Sequence, residues 1–200
     1  IVGESGKSAG SILYGNGKML APRRTGYLKE TKASFVSIRR CSGIEKNENF
    51  IHNKGSLTIP AHQKASMLID QTYETMGYPE MIVSGGKDSH IQAMYAENLI
   101  VKNKAPKGDR NDIKGKYVVG IKDVFMPDGG NDRLFKPTYL RSFRYIQLDI
   151  ETKDEPLIIS KYYPVTCTAP IDLKAKFETN DPACDWMMNA GWRTVSICAQ

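Results

Sequence analysis

No apolar run in this chain of 200 residues approaches the roughly 20 that a membrane-crossing helix requires, so no membrane partner is expected. Cysteine is sparse. Cys41, Cys167, Cys184 and Cys198 include no Cys-x-x-Cys pair, which argues against a thiolate metal knuckle. The chain is also long enough to bury an ordinary core without disulfide staples, so free thiols are expected, with one bridge open if the protein is exported. Histidine is scarcer still: His52, His62 and His90 have no partner four residues away, so each is expected at the surface and not on a metal. No block of five or more like charges occurs. The net charge of +6 comes from 28 basic and 22 acidic residues scattered in both signs, and nucleic acid binding would rest on that charge alone.

Signature motifs are missing as well. There is no Gly-x-Ser-x-Gly elbow for a serine hydrolase. Gly3-Glu4-Ser5-Gly6-Lys7-Ser8 looks like the end of a phosphate loop, but the glycine required five residues before Gly6 falls on Ile1, and a strand and turn follow in place of a helix. No cofactor is therefore expected. The first residues are not basic-then-apolar, so no address is read, and the compartment stays open between cytoplasm and export. The sequence starts on Ile1 and stops at Gln200 inside a helical pattern, as a fragment of a longer protein would.

What is present is alternation. Tyr78 to Val83 and Ser89 to Ala96 read as strands, with Ser84-Gly85-Gly86-Lys87-Asp88 as turn material between them, predicting a β-hairpin at the centre of the fold. Ala65 to Gln71 reads as a strand leading into Gly77-Tyr78-Pro79, where Pro79 marks a strand start or edge. Phe35 to Arg39, Leu57 to Pro60, Tyr117 to Phe125, Leu134 to Tyr139 and Leu157 to Thr168 have strand character. Ser42 to Asn53 reads as a polar loop, and Pro127-Asp128-Gly129-Gly130 as a turn. In Phe143 to Glu151 the period of two puts Ile146, Leu148 and Ile150 inward and Tyr145, Gln147 and Asp149 outward. Lys102 to Lys116 is a basic loop, either solvated or bordering a sugar site or a neighbouring domain. These elements predict an antiparallel two-layer sandwich over Ser11 to Thr168.

At Asn180-Asp181-Pro182 the period changes to 3.6, with Asp181 as N-cap and Pro182 in the first turn. Met187, Ala190, Gly191, Thr194, Val195 and Cys198 then form one stripe, flanked by Trp186 and Trp192. So apolar a stripe is expected to be covered by more of a helical domain, by the sandwich, or by self-association of residues 181–200. Carboxylates are plentiful, but spacing alone pairs none of them for acid and base work.

Gly77-Tyr78-Pro79-Glu80 with Ser84-Gly85-Gly86-Lys87, then Tyr95-Ala96-Glu97, Lys107-Gly108-Asp109-Arg110-Asn111, Gly115-Lys116, Pro127-Asp128-Gly129-Gly130 and Arg141-Ser142-Phe143-Arg144-Tyr145-Ile146-Gln147-Leu148, occur together and in order. In this the chain resembles the bacterial α-L-rhamnosidases from about Pro22 onward. The resemblance implies a mainly β fold: an antiparallel, concanavalin- or jelly-roll-like β-sandwich over residues 1–170, followed by a C-terminal helix. Residues 171–200 would be a linker and the first helix of a truncated (α/α)6 catalytic domain. It also implies a parent that hydrolyses terminal α-L-rhamnosyl linkages with inversion, using a carboxylic acid and a carboxylate base ~6.5–9.5 Å apart. Those groups would lie beyond Gln200, so no catalytic, cofactor-binding or metal residue is assigned within this chain. The partners implied are the downstream helical catalytic domain and rhamnose-containing glycans. A carbohydrate-binding module without hydrolytic role is the alternative, with Tyr73, Tyr78, Tyr95 and Tyr117 as candidate stacking surfaces.

Overall fold

The computed structural model describes residues 26–101 and 108–199; the phosphate-loop-like segment and the strand expected near Ser11 lie outside them. Nine strands follow in the order β1 (Lys29–Lys32), β2 (Ser37–Ser42), β3 (Leu57–Ile59), β4 (Lys64–Gly85), β5 (His90–Ala96), β6 (Lys122–Phe125), β7 (Arg133–Phe135), β8 (Arg141–Glu151) and β9 (Leu157–Thr168). A single-turn helix α1 (Glu48–Ile51) separates β2 from β3, and α2 (Pro182–Cys198) closes the order. Every strand pairing is antiparallel. The fold is a β-sandwich with a C-terminal helix.

Both layers hang on β4. Its first half pairs with β8 on one side and β2 on the other, while Gly77 to Gly85 pairs with β9, with β7 alongside Met81 to Val83. The change of partners follows a register irregularity between Asp70 and Thr75, where Thr72 sits at φ 68. At Gly77 the strand is squeezed between Arg141 and Thr166, and a Cβ there would lie 2.4 Å from the Val165 carbonyl oxygen. Only glycine fits such an approach. Pro79 comes just after the β8 pairing ends and before β7 begins, so the strand is locally an edge there, as expected of a proline.

The predicted central hairpin does not form. β5 pairs with β8 and β6, never with β4, so Ser84 to Asp88 carries the chain between layers. Its backbone bonds point outward, from Gly86 N–H to Pro156 C=O at 2.9 Å and from Asp88 N–H to Pro127 C=O at 3.0 Å. Alternation specifies which face a residue occupies, not which strand lies beside it.

The core between the layers collects the inward residues, including Met67, Ile69, Ile91, Ile146, Leu148, Ile150, Leu157 and Ile159, around Phe35, Phe143 and Tyr162. The Phe35 and Tyr162 rings meet 4.8 Å apart at 51°, a tilted geometry that aromatic quadrupoles favour. The segment predicted as a polar loop contributes too: α1 buries Phe50 and Ile51 completely, and Asn47 caps it by accepting from Phe50 N–H at 3.1 Å. Asn47→Ala should cost about 1 kcal/mol in urea-melt stability, the usual worth of such a cap. All four cysteines are free thiols. Of the two longer runs expected there, Tyr117 to Phe125 is strand only over Lys122–Phe125, and Leu134 to Tyr139 overlaps a strand, Arg133–Phe135, only at Leu134 and Phe135.

Helix α2 starts as predicted, with the Asp181 carboxylate accepting from Ala183 N–H at 2.9 Å. It touches the sandwich where Ala169 N–H donates to the Ser196 carbonyl at 2.7 Å and where the Arg193 guanidinium lies 3.8 Å over the Tyr73 ring. None of its residues is buried, and Trp186, Met187 and Val195 are exposed.

Candidate functional site

The outer face of β2, β4, β8, β5 and β6 carries the polar chemistry. On β4, β8 and β5 the period of two puts Met67, Leu148 and Ala93 inward and Ser66, Gln92 and Asp149 outward. Strand register then aligns cross-strand rows: Ser42, Ser66, Asp149 and Gln92 in one; Arg40, Leu68, Gln147 and Met94 in the next; Lys64, Glu151 and His90 along the rim. The register of β2 slips between Ile38 and Arg40, a bulge that lets Arg39 and Arg40 both reach this face.

A loop of mostly exposed residues, 108–118, covers one end of the face, with Lys116 and Val118 buried beneath it. Leu68, Tyr145, Ala96, Leu99 and Val118 make a second apolar cluster there, joined by Met94 and Ile113. Tyr145, expected in solvent, is on the outward face but fully buried under this loop, and its hydroxyl donates to the Arg110 carbonyl. The described part of the expected basic loop is therefore not simply solvated: Lys116 is buried and donates to the Asp109 carbonyl at 2.9 Å. Residues 102–107 lie outside the described residues.

The loop is pinned by Asp70, which is fully buried. Arg144 donates to it from Nε at 3.0 Å and Nη2 at 3.2 Å, Arg39 Nη1 donates at 2.7 Å, and Thr72 N–H donates at 2.7 Å. The same two arginines hold Asn111, Arg144 through its side-chain oxygen at 2.6 Å and Arg39 through its carbonyl at 2.8 Å. Burial alone would raise the pKa of Asp70, but these bonds outweigh it and hold the carboxyl below the usual range. A carboxylate so saturated is a structural clamp and has no free oxygen for substrate.

Beyond the loop the face is open. Asp149 Oδ1 accepts from Ser66 Oγ at 2.7 Å and Gln147 Nε2 at 2.9 Å; Gln147 also donates to Ser66 Oγ at 2.6 Å. Arg40 bridges this network to the loop, donating to the Lys116 carbonyl at 3.3 Å and to Gln147 Oε1 at 3.4 Å. A depression of about 290 Å³ lies over Ser42, Ser66, Gln92 and Asp149, rimmed by Lys64, Glu151 and His90. Hydrogen bonds from Lys153 and Lys64 hold Glu151 below its ordinary pKa. On the opposite flank, by α2, Ser142 donates to Glu74, whose pKa is raised by burial and by the nearby Glu97 charge.

The candidate aromatic platform is not assembled. Tyr95 is buried in the core, Tyr73 lies under Arg193, Lys136 sits 4.6 Å over Tyr78, and only Tyr117 is openly exposed. The histidines are dispersed: His62 faces Asp154 at 3.6 Å, His52 contacts the Val36 carbonyl at 3.1 Å, and His90 is on the polar rim. Among the described residues no three His, Cys, Asp or Glu side chains are grouped to hold a metal ion. Sequence reading missed the polar row because its members come from four strands; the outward parity of Gln147 and Asp149 was the available signal.

No family model matches the sequence, and no curated protein does. Solved structures are similar in fold. A rhamnosidase from Klebsiella oxytoca with rhamnose bound superposes with a TM-score of 0.62 at 12% identity, over 88% of this chain and 36% of that one. A GH78 family rhamnosidase of Bacillus sp. GL1 gives 0.47 at 16% identity, over 74% and 15%. A reduced XRCC1 bound to a DNA polymerase β catalytic domain gives 0.44 at 14%, over 70% and 100%. The chain thus spans about a third of the length of the Klebsiella protein, and it shares with that rhamnosidase a β-sandwich fold.

Proposed function

We propose that this chain is the non-catalytic β-sandwich, with the opening helix of a helical catalytic domain, from a glycoside hydrolase that removes terminal α-L-rhamnosyl residues with inversion. Residues 1–170 form the sandwich unit in this reading, and 171–200 lead into the helical domain. The observation that carries it is the superposition on a rhamnosidase over 88% of the chain. The exposed Trp186, Met187 and Val195 of α2 supply an apolar surface for the remaining helices to cover, or for a second copy in their absence. The dispersal of the four tyrosines gives less support to a free-standing carbohydrate-binding module.

The clamped Asp70 and the lysine-paired Glu151 are committed to structural bonds. Incubated with an aryl α-L-rhamnoside, the 200-residue chain is expected to release no aryl alcohol above the buffer blank. Turnover abolished by Glu74→Gln, Glu97→Gln or another single carboxylate change within residues 1–200 would place the acid or base in this chain and overturn the reading.

A further inference from the structure

We infer that the open half of the outer face, centred on Asp149 and Gln92, is a binding site for a neutral pyranose. Asp149 is oriented before any ligand arrives, because Ser66 and Gln147 both donate to Oδ1. Among the described residues its Oδ2, the Gln92 amide and the Ser42 hydroxyl make no hydrogen bond within the protein, yet all three residues line the same depression. An acceptor, an amide that gives and takes, and a hydroxyl are what vicinal and alternate sugar hydroxyls require. Ser42, Ser66, Asp149 and Gln92 stand on four adjacent strands in one row. Neighbours in such a row are roughly 4.7–4.9 Å apart, comparable with the separation of alternate hydroxyls round a pyranose chair.

The charges select against other ligands. Of the two carboxylates that line the depression only Asp149 is without an ion pair, and it disfavours an anion at the centre of the row. Glu151 is already held by Lys64 at 3.2 Å and Lys153 at 2.9 Å, which leaves one free carboxylate oxygen in the row, too few for a divalent cation. Without an aromatic platform, binding rests on hydrogen bonds exchanged with water, so affinity is millimolar. Rim residues His90 and Lys64 close the depression along one edge, and within the row the adjacent free groups are those of Asp149 and Gln92.

The choice of L-rhamnose as first probe rests on the function proposed above; the site itself does not. The test is a titration of the isotopically labelled chain with L-rhamnose, D-mannose and D-glucose, followed by amide chemical shifts. Saturable shifts at Ser66, Gln92 and Asp149 are expected with at least one sugar. Gln92→Ala, which removes an unpaired surface amide, and Asp149→Asn, which keeps the Oδ1 acceptor but turns the outward oxygen into a donor, should each weaken binding about tenfold. Absence of saturable shifts, shifts that both variants leave unchanged, or the same shifts produced by calcium alone would overturn the inference. Aryl rhamnoside turnover by this chain would end the non-catalytic reading and leave these shifts as they are; loss of the shifts would do the reverse.

Discussion

Replacing Asp70 with alanine is expected to cost about 3–5 kcal/mol in urea denaturation, the penalty for stranding a buried charge. The stranded group is Arg144, whose side chain is 9% exposed and whose Nε and Nη2 would lose both carboxylate partners at once. Arg39 adds less, since its side chain is 32% exposed and water can replace the lost bond. The damage should not stay local. Thr72, at φ 68, is held by its N–H bond to Asp70, and Asn111 is held by the two arginines. Amides of residues 109–118 should therefore exchange faster in the variant, and Tyr145 should become accessible. Asp70→Asn keeps one acceptor and should fall between. The pH dependence has a definite sign. The folded carboxyl titrates below its unfolded value, so its stabilisation is complete above the ordinary carboxylate range. It is lost as pH falls below about 4 through the folded pKa. An Asp70→Ala chain with unchanged stability and an unchanged acid limb would refute the clamp.

Gly77→Val should be still more damaging, at about 4 kcal/mol or more, and should give little soluble chain. The new Cβ would meet the Val165 carbonyl oxygen at 2.4 Å and the Thr166 Cα at 3.0 Å. Both contacts are backbone, so no side chain can rotate away. Relief requires separating β4 from β9 where β8 is also anchored through Arg141. Gly77→Ala carries the same Cβ, so it should also melt well below the parent in a thermal scan. A normal melt for Gly77→Ala would mean that the two strands are not so closely apposed in solution.

Much of the fold was legible because period and punctuation act locally. Leu157 to Thr168 is a strand over the full predicted span, and the Asp181-Pro182 start of α2 is where the capping chemistry put it. Faces were legible too: Ile146, Leu148 and Ile150 are buried, and Gln147 and Asp149 point away from the core. Partners were not. The pairing of β5 with β8 depends on a strand some fifty residues downstream, and no turn between β4 and β5 can announce it. Tyr145 was given the right face and the wrong exposure, because parity does not register a loop that folds back over the sheet. Phe50 and Ile51 were hidden among polar neighbours whose own role, through Asn47, was to cap a single turn around them. The polar row became visible only when register set Ser66, Asp149 and Gln92 side by side.

The length of β4 also governs how the molecule can be taken apart. Because one continuous strand supplies a member to each layer, neither layer has a boundary at which it could be excised, exchanged with another copy, or inherited alone. Chain breaks between Lys64 and Gly85 should abolish assembly, whereas new termini in the exposed 171–180 connector should be tolerated. A circularly permuted gene opened there would keep the strand intact, which makes β4 the indivisible unit for any recombination of this sandwich with other domains.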